Sequence, residues 1–138
     1  MTDFVSQVKV VAAPQRAVYE TVSDLSHLEA LKDRLPADKL RSLEATPDRV
    51  EADVNMPGLG CVSVVVADRE PFKTVKLQSE KSPISFTLWI QLKEKTMVDC
   101  YMKITLRADV PFLMKGMISK PLQEGVDKIA EALASIPY

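Results

Sequence analysis

The chain has one histidine, His27, and a search for chemistry starts there. An imidazole works as a general base when a carboxylate orients it and a nucleophile stands within hydrogen-bond reach. Asp24 and Glu29 are near in sequence, but no nucleophile pattern accompanies them, so His27 reads as a capping or solvent-facing residue. Cys61 and Cys100 lie far apart, each in an apolar stretch. With a single histidine they supply no tetrahedral ligand set, and two such cysteines make no disulfide framework. They read as small buried hydrophobes. The segment "PGLG", with Gly58 and Gly60, lacks the lysine and the strand-to-helix context of a phosphate loop, so it reads as a turn between strands. No catalytic residue, metal or cofactor is therefore expected.

The bulk properties narrow the class. The 138 residues suggest one domain, 1–138, able to bury a core without staples. Hydrophobic residues make up 46% and charged residues 27%, the balance of an ordinary globular chain. A net charge of −1 gives no global field to recruit nucleic acid. No apolar run approaches the roughly 20 residues of a membrane span, so no stable membrane insertion is expected. The opening "MTDFVSQVKVVAAPQ" has neither the basic start nor the long apolar stretch of a signal peptide, which makes the cytoplasm the default location.

The elements that must position any site follow from periodicity. "DFVSQVKVV", with Phe4, Val8 and Val10, predicts a strand. Pro14 suits a first helical turn, and Val18, Val22 and Leu25 share one helical face. Ser23 and Asp24 offer a break and a cap. "SHLEALKDRL" predicts a second short helix with Leu28, Leu31 and Leu35 on one side, stopped by Pro36. Strands then follow, separated by turns at "TPDR", "PGLG" and "EP". Val50, Ala52, Val54 and Met56 form one face, then Val62, Val64 and Val66, then Val75 and Leu77 in "FKTVKLQSE". The clearest pair is "ISFTLWIQL", with Ile84, Phe86, Leu88, Ile90 and Leu92 inward, and "VDCYMKITLRADV", with Val98, Cys100, Met102, Ile104, Leu106, Ala108 and Val110 inward. Such alternation marks an antiparallel sheet with one wet face.

Two registers can be tried on this pattern. Joining the last two strands through "KEKTM" sets Ile90 opposite Cys100, Leu88 opposite Met102, and Trp89 opposite Tyr101 on the outer face. That aromatic pair either stabilises the sheet or marks a partner surface, a candidate homodimer face. Closing "TPDR" at Pro47–Asp48 sets Leu43 opposite Ala52 and Arg41 opposite Val54, inward. Arg41 is then either a surface residue or a holder of an anionic headgroup.

After Val110 the period changes. Met114, Ile118, Leu122, Val126, Ile129 and Leu133 recur at spacings of three and four, one long amphipathic helix. Pro121 predicts a bend or restart near Lys120. Only this helix is long enough to cover the apolar face of the sheet.

"VKVVAAPQRAVYETVSDLSHLEAL" resembles the opening of the START-like superfamily, also called SRPBCC or helix-grip proteins. The positions that carry the likeness are Ala13, Pro14, Tyr19, Ser23, Asp24 and Leu25, and "ISKPLQEGVDKIAEAL" is similar to the closing helix. The birch-pollen-allergen branch has a multi-glycine turn where this chain has "ATPDRV", with no glycine. The resemblance implies an α+β fold: a curved antiparallel sheet of about 6–7 strands, two short helices after the first strand, and the long helix across the sheet. It also implies a deep apolar cavity between sheet and helix, with "PGLG" a turn or a gate at its mouth. The expected function is a carrier or sensor of a small hydrophobic ligand such as a lipid or polyketide-like molecule. The alternatives are a cyclase, aromatase or hydratase-like enzyme in the same cavity, or a protein-interaction module with the cavity collapsed. The residues expected to line it are Val54, Met56, Val64, Phe86, Leu88 and Met102 from the sheet. Ile104, Met114, Met117, Ile118 and Leu122 complete the wall, with Arg41 at the rim. The methionines could equally be ordinary core packing.

Overall fold

The structure, a computed structural model, describes residues 2–34, 40–56 and 59–138. The side chains of Leu31 and Met56, the residues Leu35 and Pro36, and the Pro57–Gly58 part of the "PGLG" turn lie outside what is described. Strands β1 (Thr2–Val5) and β2 (Lys9–Val11) lead into helix α1 (Gln15–Val22) and a 3-10 helix, Leu25–Asp33. Then come β3 (Leu40–Thr46), β4 (Arg49–Met56), β5 (Leu59–Glu70), β6 (Thr74–Lys81), β7 (Phe86–Glu94) and β8 (Cys100–Ala108). A 3-10 turn, Phe112–Met114, opens the final helix α2 (Lys115–Ala134). The strands form one antiparallel sheet in the order β1-β8-β7-β6-β5-β4-β3, with β2 also on β8. This is the expected helix-grip architecture.

The first strand is two strands because a bulge divides it. Val5 pairs with Thr105 but Lys9 pairs with Met102, so one extra residue is inserted on the β1–β2 side. That insertion reverses the alternation. Phe4 and Val11 are buried, whereas Val8 and Val10, expected on the strand's apolar face, are exposed. Ser6 holds the bulge: its N–H donates to Ile104 O (2.8 Å), and its Oγ accepts from the Ile104 N–H (2.9 Å).

The helical end follows its sequence logic closely. Pro14 is the N-cap of α1, and Val18, Val22 and Leu25 are all buried. Asp24 restarts the chain by accepting from the Ser26 N–H (3.0 Å) and Ser26 Oγ (2.6 Å). These bonds, the hydroxyl first, hold the Asp24 carboxyl below its usual range. The Arg69 guanidinium spans Ser23 O (3.0 Å), Pro47 O (3.3 Å) and Asp48 Oδ1 (2.7 Å), tying the helical break to the β3–β4 turn.

Two registers and one strand boundary depart from expectation. In the β7–β8 hairpin Ile90 faces Ile104, not Cys100, and Leu88 faces Leu106. Glu94 pairs with Cys100, so the loop is residues 95–99 rather than "KEKTM", and Val98 is a loop residue in solvent. The Thr96 hydroxyl donates to the Asp99 carboxylate and fixes this loop. Trp89 consequently faces Thr105 and Tyr101 faces Lys93, so the outer aromatic pair does not form. Lys76 and Arg107 stand 5.8 and 5.5 Å from the Trp89 ring, and Lys95 stands 5.9 Å from Tyr101, as cation–π neighbours. In the β3–β4 hairpin Thr46 pairs with Arg49 and Leu43 with Ala52 as expected, but a bulge between Leu40 and Ser42 puts Leu40 opposite Val54. Arg41 is thereby turned outward, onto Asp53 Oδ1 (3.1 Å) and Asn55 Oδ1 (3.0 Å). Finally, β6 starts at Thr74, and Phe72 sits in the preceding turn at φ 66°.

Helix α2 runs from Lys115 to Ala134 without a restart, with Pro121 inside it. An interior proline costs about 3 kcal/mol. Ile118 and Leu122, on either side, are buried, and each such side chain contributes about 1.5–3 kcal/mol, enough to offset the proline. No helix among the described residues is long and apolar enough to cross a membrane.

Two predictions follow from the bulge and the helical break. Ser6→Ala leaves the Ile104 N–H unpaired in the core and is expected to cost about 1–3 kcal/mol, seen as a lower urea midpoint at unchanged m-value. The depressed Asp24 carboxyl stabilises the fold above its unfolded pKa of about 3.9, and that contribution is lost as pH falls through the lower folded value. Acid titration of Asp24→Asn should therefore show a shallower loss of stability below about pH 4 than the parent.

Candidate functional site

The antiparallel sheet curls around α2 but does not close on it. Between them lies a cavity of about 460 Å³, within the usual range of small-molecule sites. Its floor is the inner face predicted by alternation: Val50, Ala52 and Val54 of β4, Val62 and Val64 of β5, and Leu77 of β6. Phe86, Leu88 and Ile90 of β7 continue it, with Leu106 and Ala108 of β8 at the far side. The roof is α2, through Pro121, Leu122, Gly125, Val126, Ile129 and Leu133. Leu28, Leu40, Leu43 and Ile84 close the ends. Asn55, Glu124 and Lys128 are the polar members of the lining.

The roof explains why space remains. Pro121, Gly125 and Ile129 are four residues apart and share one flank of α2. Two of these three residues are small, and Gly125 has no side chain to drop into the gap. Glu124 and Lys128 fall on the adjoining flank, one turn apart. Glu124 Oε1 stands 4.0 Å from Lys120 Nζ. The lining therefore offers an apolar volume with the Asn55 amide on its β4 side and one acid and one amine at its helical edge.

The expected lining set divides. Val54, Val64, Phe86, Leu88 and Leu122 border the cavity. Met102, Ile104 and Ile118 do not: each is 0% exposed, packed solid in the core. α2 packs chiefly on β8 and on the β1 and β2 segments beside it, so the Met102–Ile104 stretch lies directly beneath the helix. Met114 is half-buried against the core, and Met117 points to solvent. Arg41 does not line the cavity: it is exposed and pairs with Asp53 Oδ1 (3.1 Å) and with Oδ1 of Asn55 (3.0 Å), a residue that borders the cavity. The Met56 side chain lies outside the described residues. Methionine content was thus a poor guide to the wall. The signals in the sequence that do mark the wall are the β-branched inner face of β5 and the small residues on α2, Gly125 above all.

His27 is exposed, and its Nδ1 lies 2.8 Å from Thr21 O. Glu29 turns away from it to accept from the Ala45 N–H (3.1 Å). Cys100 is buried, which pushes its thiol pKa up. Cys61 is exposed, contrary to expectation, because Val62 takes the inward position on β5. Among the described residues no cluster of His, Cys, Asp and Glu could hold a metal ion.

No family model and no curated protein matches the sequence. Solved structures do match the fold. A START superfamily protein from Mycobacterium smegmatis superposes with a TM-score of 0.71 at 16% identity, covering 96% of this chain and 94% of that one. XoxI from Bacillus cereus gives 0.67 at 14% identity, covering 97% and 94%. Norcoclaurine synthase from Thalictrum flavum, in complex with dopamine and hydroxybenzaldehyde, gives 0.69 at 16% identity, covering 96% and 85%. The chain therefore has the START-like, helix-grip fold.

Lining and packing positions should differ in energy. Ile104→Ala opens a new void in a filled region and is expected to cost about 2–5 kcal/mol. Leu88→Ala only enlarges an existing one and should cost about 1–2 kcal/mol, from lost transfer energy alone. Equal losses in chemical denaturation would mean that the cavity is collapsed in solution.

Proposed function

We propose that this START-like fold serves as a cytoplasmic, single-domain carrier or sensor of a small hydrophobic molecule, lipid-like or polyketide-like, held between the sheet and α2. The observation that carries this is the character of the cavity: apolar over most of the β4–β8 floor and of the helical roof, with Asn55 on the β4 side and Glu124 and Lys128 at its helical edge. Burying an apolar body there is favourable by about 25 cal/mol per Å² removed from water. Among the described residues the polar lining is Asn55, Glu124 and Lys128, and an unpaired polar group elsewhere would cost several times a hydrogen bond's net gain, so the ligand's polar end belongs beside these residues, with the charged pair at the helical edge.

A second reading, an enzyme of the cyclase, aromatase or hydratase type, is favoured by the same two residues. A carboxylate and an amine one turn apart beside an apolar volume are a possible acid–base pair. One neighbour in fold is a synthase bound to small aromatic compounds, though at this identity the likeness speaks for the fold alone. A homodimer through the outer sheet face has less support, because Trp89 and Tyr101 are not opposite one another.

The carrier reading predicts that protein purified under native conditions retains a ligand in native mass spectrometry, or binds a lipophilic dye once stripped. Gly125→Leu, which fills the roof, should weaken dye binding at least tenfold while leaving the circular dichroism unchanged. Absence of both ligand and dye binding would defeat the proposal. Turnover abolished by Glu124→Gln with binding intact would favour the enzyme.

A further inference from the structure

We infer that the turn at the start of α2, Phe112 to Met117, is a docking face for an anionic lipid surface. Phe112 is 84% exposed, Leu113 93% and Met117 57%, in a protein that buries most of its other large apolar side chains. They are held outward by their neighbours. Val110 is buried and Met114 packs against the core, so the inward positions of this turn are filled. Pro111 is the N-cap of the 3-10 turn, and the Met114 N–H donates to Pro111 O (2.9 Å), which fixes the pair at its tip.

The charge around the patch selects its partner. Residues 111–123 carry Lys115 and Lys120 and no acid. Asp109 is exposed just before the patch, and Asp3 nearby is neutralised by Arg107 at 2.8 Å. Lys120 is only loosely engaged, at 4.0 Å from Glu124. Exposed Phe and Leu flanked by lysine suit the headgroup boundary of a membrane, where apolar tips enter the acyl region and ammonium groups meet lipid phosphates. A second copy of the chain is a poorer occupant. Three side chains fall well short of the roughly 800 Å² per partner of a stable interface.

The position beside the cavity adds meaning to the patch. Met117, Pro121, Glu124 and Lys128 are spaced by four, three and four, along one flank of α2, and the last three border the cavity. A lipid surface under Phe112 and Leu113 would therefore face the helical edge of the cavity. The docking face itself does not depend on the cavity holding a ligand, so the two readings can fail separately.

The test is flotation of the full chain with vesicles of phosphatidylcholine containing phosphatidylglycerol, against phosphatidylcholine alone. Binding to the anionic vesicles is expected, weakened by added salt. Phe112→Ser with Leu113→Ser should lower partitioning at least tenfold, and Lys115→Glu severalfold. Met97→Ser, which alters an 87% exposed methionine in the β7–β8 loop, should change nothing. Unchanged circular dichroism and an unchanged urea midpoint would show that the variants are folded. Failure to bind either vesicle, or equal binding by the double variant, would overturn the inference. So would a concentration-dependent dimer, lost in the double variant, from a chain that ignores vesicles.

Discussion

One geometric constraint governs this protein: a single helix must cover the concave face of a much wider sheet. Seven strands side by side span roughly 30 Å at a spacing of about 4.8 Å. One helix with its side chains is about 10–12 Å across. α2 spends that width on β8, β1 and β2, where Ile104, Met102, Ile118 and Leu133 pack with no exposure above 1%. Strands β3 to β6 are left to curl toward it. Bulges between Leu40 and Ser42, between Asp53 and Met56, and on the β5–β6 pair increase that curl. What the helix cannot reach stays open and apolar, and that remainder is the cavity.

The same constraint divides α2 by length and by face. The turns around Ile118, Leu122, Val126 and Leu133 face the core and hold the helix. The flank through Pro121, Gly125 and Ile129 borders the cavity, and two of its three residues, Pro121 and Gly125, are small. Pro121 is tolerated inside a continuous helix because the burial around it outweighs a lost hydrogen bond. Beyond the sheet, at the start of α2, the core-facing positions are already taken by Val110 and Met114. Phe112 and Leu113 are consequently left in water.

Polar groups have been sorted by the same geometry. Arg41, Arg49 and Arg107 pair with carboxylates on the outer face of the sheet. Ser6, in contrast, is a buried polar residue with a structural task, closing the backbone account at a bulge. Asp24 does the equivalent work at the helical break. With the outer face and the breaks satisfied in this way, the polar groups left beside the cavity among the described residues are Asn55, Glu124 and Lys128.

The element order, the facing of nearly every strand and the stripe of α2 could be read from residues alone, because burial imposes a period of two on strands and about 3.6 on helices. Those periods are local and survive any register. They also explain the misses. The β7–β8 hairpin slid by four residues, and an even slip keeps apolar opposite apolar, so alternation cannot detect it. The bulges at Ser6 and Arg41 each insert one residue, which reverses facing, and no period announces them. The last distinction, between side chains that fill the interior and those that border empty space, was beyond any pattern. Met102 and Leu88 look alike as inward residues of adjacent strands. Only the lateral position of α2, set by packing across the whole sheet, left Met102 under the helix and Leu88 beside the void.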